Sequence, residues 1–239
     1  MIFELDKYSL KARLYPSFLV LVPAFVCGIF YITNLQEYYH YLTAIFSLGL
    51  VTFFLAQLGR DRGKIKEVEL NKYFGGKPST QLLRHSNNYL DKNTKSRYHE
   101  MLSQIIPNIH LPSYQEEQND STDADQVYES CAKYLISKTR DTKKYNLLFK
   151  ENINYGFRRN LWGMKSWALL IVFISIVIHT FYATQKFSIP LNTISSSDFF
   201  LFIFFIASAL FWIFIIRKDW VKIPSFAYAE RLYESLNDL

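Results

Sequence analysis

The chain has 239 residues with 27 Lys+Arg against 21 Asp+Glu, a formal net charge of +6; half of it is hydrophobic, 18% aromatic and 20% charged. Its apolar residues fall into four blocks, two early and two late, each near the ~20 residues that cross a ~30 Å hydrocarbon core. That distribution excludes an ordinary soluble enzyme, a disordered chain and a secreted disulfide scaffold.

Residues 1–15 (MIFELDKYSLKARLY) put Phe3, Leu10 and Leu14 near one helix face and read as a cytoplasmic amphipathic N-terminus. Residues 16–59 read as a first transmembrane hairpin, with one span over Pro16–Thr33 and a second over Tyr41–Gly59. The long, mixed-charge lead-in and the lack of a small-residue cleavage site after the first block argue for an uncleaved span. Pro23 should kink that span. Ala24, Gly28, Ser47 and Gly49 are small residues suited to close helix packing.

Residues 60–165 read as a cytoplasmic, mostly helical domain. They hold 19 Lys+Arg and 13 Asp+Glu, which accounts for the whole formal excess. A helix should leave the membrane through Lys64–Phe74 and stop at Gly75 and Gly76. Ser79 and Thr80 are expected to cap a short helix through TQLLRH. Asn93 or Thr94 should cap another, with Tyr98, Met101, Leu102, Ile105 and Ile106 at helical spacing and Pro107 beyond its end. Ser113–Asp125 is polar and acidic and reads as a mobile loop. A longer amphipathic helix should begin at Asp123, and the run from Lys143 should lead into the third span with weak points at Gly156 and Gly163.

Residues 166–216 read as the second hairpin, with spans over Trp167–Thr184 and Phe199–Ile216. Residues 217–239 read as a cytoplasmic amphipathic tail with Phe226, Ala229, Tyr233 and Leu236 on one stripe. None of the four spans contains Asp, Glu, Lys or Arg. The expected fold is therefore an all-α membrane protein: four transmembrane helices as two hairpins, with a mostly helical insertion between spans two and three. Such spans must be helical, because lipid offers the backbone no hydrogen-bond partner.

Orientation follows from the cations. Lys7, Lys11 and Arg13 precede span one; Arg60, Arg62, Lys64 and Lys66 follow span two; Arg158, Arg159 and Lys165 precede span three; Arg217, Lys218 and Lys222 follow span four. The two short loops on the other side carry Lys186 with Glu37 and Asp198. The positive-inside rule then places both termini and the insertion in the cytoplasm. Arg60, Arg62, Lys64, Arg158, Arg159, Lys165, Arg217 and Lys218 are the expected headgroup anchors.

Few segments carry the pattern of a chemical site. FGGKPST (Phe74–Thr80) fails as a phosphate loop: Asn71 stands where the first glycine belongs, and Pro78 follows the lysine. What remains is a basic turn that a following helix N-terminus would make receptive to an anion. The weak binding site for a ligand or partner expected here is Lys77, Ser79, Thr80, Arg84 and His85, with Arg140, Lys143 and Lys144. The spacing of His85, His99, His110 and Cys131 matches no common zinc pattern, so no metal is expected, nor any cofactor. No catalytic signature is present, and no enzyme is expected. No basic stripe interleaved with aromatics is visible, so direct nucleic-acid binding is not expected. His179 reads as an interfacial residue at the outer end of span three.

The order of elements, together with the phrases GRDRGKIKE (Gly59–Glu67), GGKPSTQLLRH (Gly75–His85), TRDTKKYNLLFKEN (Thr139–Asn152) and NYGFRR (Asn154–Arg159), gives the chain its individual character. In architecture it resembles the small four-span membrane effectors of bacterial antiphage defence systems. That resemblance covers the whole topology and assigns no residue a role. It implies an oligomeric protein of the bacterial inner membrane. A pore or other membrane perturbation would follow when the cytoplasmic domain receives a signalling ligand or a protein partner. The competing expectation is an adaptor that holds a cytoplasmic protein at the inner leaflet without pore activity.

Overall fold

The computed structural model describes residues 6–31, 38–184 and 195–239, with the side chains of 38–46 left outside. Glu37 and Lys186 of the expected inter-span loops lie outside the described residues, as does Phe3. The described chain is helical and contains no strand. We number the helices α1 (Ser9–Tyr31), α2 (Tyr38–Phe74), α3 (Pro78–Leu83), α4 (Lys92–Ile105), α5 (Tyr114–Asn119), α6 (Ser121–Lys138), α7 (Asn146–Ala183), α8 (Ser196–Ile215) and α9 (Lys218–Glu234). Three of them, α1, α7 and α8, are long and apolar enough to cross a membrane. The second expected span, Tyr41–Gly59, forms the first half of α2.

The helices form two compact units. The first comprises residues 1–67 and 156–221, and the second comprises 68–155 and 222–239. In the first unit, α2 and α7 stay packed beyond their last apolar turns. A Cβ on Gly163 would lie 2.9 Å from the Cα and N of Gly63, so two backbones meet directly at this crossing. Next to it, Gly59 faces Met164 and Gly63 faces Asn160, whose side chain donates to the carbonyl of Ala12 at 2.7 Å. Gly156 admits Tyr8 and Ala12 of α1 and its lead-in. Helix α7 therefore runs unbroken through both Gly156 and Gly163. These glycines serve close approach and interrupt nothing.

The expected packing glycines behave otherwise. Gly28 and Gly49 have nothing within 4 Å of an added Cβ. Ser47 is exposed, and Ala24 and Gly28 line an open apolar cleft of about 390 Å³ with Cys27, Tyr31, Ser175 and Tyr182. At its rim the buried Cys27 packs against Leu201 and Phe205, and its thiol points at the Ser175 carbonyl, 3.8 Å away.

In the second unit the core is built by Leu70, Leu82, Leu83, Leu102, Tyr128 and Leu135, all essentially inaccessible. Cys131 is buried among them. The tail belongs here: Phe226, Ala229, Tyr233 and Leu236 are all buried, and the Tyr233 hydroxyl donates to the Ser79 carbonyl at 2.7 Å. Gly75 (φ +87°) and Gly76 (φ +133°) end α2, and the Gly76 N–H returns to the Asn71 carbonyl. Helix α3 begins with Pro78, not with a Ser79 or Thr80 cap. Helix α4 is capped by Asp91, whose carboxylate accepts from the Thr94 N–H at 2.9 Å. The expected mobile loop is ordered helix instead. Ser113 and Glu116 form a reciprocal capping box that starts α5, and Asp120 caps α6.

Candidate functional site

The basic turn is brought together by α3 and α6. Lys77 pairs with Glu129 at 2.6 Å. Arg84 forms a two-pronged bridge to Asp125, with Nε to Oδ1 at 2.7 Å and Nη2 to Oδ2 at 2.5 Å, and its Nη1 donates to the Gly75 carbonyl. The hydrogen bond to Asp125 strengthens the hold of the guanidinium on its proton further. Thr80 is buried, and Ser79 offers its carbonyl to Tyr233. Both cations of the turn thus have carboxylate partners on α6. Geometrically it is a clamp that docks α3.

Beside the turn lies a buried carboxylate whose two oxygens are both engaged. Glu117 is 3% exposed. One of its oxygens accepts from the His85 N–H at 2.7 Å and the Tyr128 hydroxyl at 2.8 Å. The other accepts from the Ser86 N–H at 3.0 Å and the Ser86 hydroxyl at 2.9 Å. Burial pushes its carboxyl up, but the N–H groups of Ser86 and His85 and the two hydroxyls outweigh that and hold it below the ordinary range. Tyr128, buried beside that charge, is pushed far up. Lys95 is buried too; its ammonium donates to the carbonyls of Arg84 and Asn87, and burial lowers its affinity for the proton.

Two histidines flank the node, their rings 4.8 Å apart at a steep angle. His85 Nε2 donates to the Pro112 carbonyl and His99 Nε2 to the Leu83 carbonyl. Burial holds His99 below its ordinary pKa. No group of three metal-binding side chains converges among the described residues.

The remaining cations of the expected site lie elsewhere. Arg140 and Lys143 are exposed in the α6–α7 connection, where Asp141 accepts from the Lys143 and Lys144 N–H groups. The Lys144 ammonium reaches the Asp238 carbonyl at 2.8 Å. There it borders an open groove of about 690 Å³, between the start of α4, the start of α7 and the end of α9. Arg97, Lys144 and Arg231 line this groove with Asp91, Glu230 and Glu234, over the buried rings of Tyr98 and Tyr145. Sequence reading missed it because its walls come from three segments far apart in the chain.

In the first unit the expected anchors divide by environment. Arg60 is half-buried; Lys64 and Arg217 are exposed. The guanidinium of Arg62 lies over the Trp167 ring and that of Arg158 over Trp220, at 5.2 and 4.6 Å. Lys218 approaches Trp162. Lys165 donates to the carbonyls of Ile213 and Ile216, satisfying the C-terminal end of α8. Arg159, by contrast, is buried and pairs with Glu67 at 3.2 Å.

His179 is buried. Its Nδ1 lies 2.6 Å from the Tyr31 hydroxyl, and its Nε2 donates to the Asp198 carbonyl at 2.9 Å. One imidazole thereby ties α1, α7 and α8 together. With Nε2 carrying the proton, Nδ1 is left to accept from Tyr31.

No family model, curated protein or solved structure matches this chain.

Proposed function

We propose that this chain is a four-span protein of a bacterial inner membrane that acts as a defence-associated effector or sensor. The second unit receives a cytoplasmic signal or partner, and the helices of the first unit respond by perturbing the bilayer. The observation that carries this reading is the division of labour between the two units. Three helices in one are long and apolar enough to cross a membrane. The other is a separately packed, charged helical body with an open groove. The apolar first half of α2 supplies the fourth span, and the cations flanking the apolar helices favour cytoplasmic termini.

The groove between α4, α7 and α9 suits the receiving role better than the basic turn. Lys77 and Arg84 already hold carboxylates of α6, whereas Arg97 is exposed at the groove wall. Expression in bacteria with a voltage-sensitive dye, before and after phage infection, tests the proposal. Depolarisation on infection, lost in Arg97→Glu with membrane insertion intact, is the expected result. A steady potential throughout would replace the effector with the membrane adaptor.

A further inference from the structure

Helix α2 has two opposite faces of different chemistry. Thr52, Ala56, Gly59 and Gly63 are buried, and the last two form the close crossing with α7. On the far side, Ser47, Val51, Phe54, Leu58, Asp61, Ile65 and Val68 are all exposed. Their spacing alternates four and three without a break, the repeat of a two-helix seam. Within an apolar bilayer such exposure needs no further account. Ile65 and Val68 do need one. They are 68% and 74% exposed, Val68 being the most open large apolar side chain of all those described, and they stand among Arg62, Lys64, Lys66 and Glu69 where the apolar run has ended.

We infer that this face is the contact between two copies of the chain, pairing α2 with α2 in parallel. The parallel direction rests on the membrane reading above, since copies inserted the same way present α2 the same way. With Val51, Leu58 and Ile65 at one core position and Phe54, Asp61 and Val68 at the other, Lys64 and Glu69 fall on the flanks. In a parallel pair the residue at Lys64's position meets the partner's residue five places further on, which is Glu69. Two symmetry-related pairs of opposite charge result. An antiparallel pair would set each of these residues against its own kind. Asp61 is the single charged member of the core line, a feature that in such seams fixes register at a cost in stability. Residues on the buried face are small because they must admit α7; Val51, Phe54, Leu58, Ile65 and Val68 on the open face are bulky, as side chains that meet another helix need to be.

The test is disulfide capture in native membranes of the full chain, with Cys27 and Cys131 left in place because both are buried. Oxidation should convert Ile65→Cys and Val68→Cys to covalent dimers. Lys66→Cys, which lies off the seam, and the parent chain should stay monomeric. Adding Lys64→Glu to Ile65→Cys should lower the captured fraction several-fold, and adding Glu69→Lys as well should restore it. Equal capture at residue 66 would mean random collision and overturn the proposal. So would absence of capture in protein recovered from the membrane fraction, which would leave the face to lipid. Recovery of the chain in the soluble fraction would refute the membrane reading instead.

Discussion

Replacing Glu117 by Gln keeps the size of the side chain and removes its charge. Each carboxylate oxygen now accepts two hydrogen bonds. The amide nitrogen of Gln would oppose one backbone N–H with its own hydrogens, the hydroxyl beside it could turn to accept, and the bonds that remain would lose their charge. Hydrogen bonds to a charged group contribute ~1.5–3 kcal/mol each. Losing one and weakening the others to the ~0.5–1.5 kcal/mol of neutral bonds costs about 3 kcal/mol, or about two orders of magnitude in the opening equilibrium at ~1.4 kcal/mol per factor of ten. The donors include the backbone N–H groups of His85 and Ser86, so hydrogen exchange reads the change where it occurs. Peptides covering residues 80–90 and 114–130 should exchange about a hundredfold faster in Glu117→Gln, with 165–180 unchanged. Tyr128→Phe, which removes one donor, should give a smaller acceleration over the same peptides. Unaltered exchange in Glu117→Gln would refute the assignment of this carboxylate as the node that fixes α5 and α6 to the turn.

Acid should loosen the second unit in two stages. His99 is held below its ordinary pKa, so its contribution is complete above ~6.5 and declines as pH falls beneath that value. Glu117 is held below the carboxylate range, so its contribution persists above ~4.3 and is lost as pH falls through its lower folded value. Hydrogen exchange against pH should show both stages, and His99→Gln should remove the upper one. At the α2–α7 crossing, Gly163→Leu drives a side chain into the Gly63 backbone and should destabilise the detergent-solubilised protein by about 3 kcal/mol or more. Gly28→Ala and Gly49→Ala meet open space inside helices and should leave the same thermal melt unchanged or raise stability by up to about 1 kcal/mol.

The all-helical class was legible because runs without a charged residue can bury in few other ways. The stop at Gly75 and Gly76 was equally plain, since positive φ there admits glycine easily. The stripe of Phe226, Ala229, Tyr233 and Leu236 was visible as amphipathic, but its destination was not: helical periodicity gives a face and never a partner. Ser113–Asp125 was misread because its acidity suggested solvent. The Ser-x-x-Glu box at Ser113 was the signal available there, and it outweighs composition. The cations of GGKPSTQLLRH looked free for a ligand because their acceptors, Asp125 and Glu129, stand more than forty residues away in sequence. The role of Gly63 and Gly163 was hidden for a related reason. A small residue permits close approach wherever it lies, and only the crossing geometry shows that Gly63 and Gly163 use it within the chain, whereas Gly28 and Gly49 face open space.

Cys27 and Cys131 turn the two compact units into separately addressable bodies. Each unit contains one buried thiol, and burial has pushed that of Cys131 up to about 11. A thiol in that condition is nearly inert, because only the thiolate attacks a reagent. A pulse of alkylating label therefore marks a cysteine only while its own unit is open. Mass analysis of the two peptides then separates an event in the apolar helices from one in the charged body, in the same unmodified chain and the same cell.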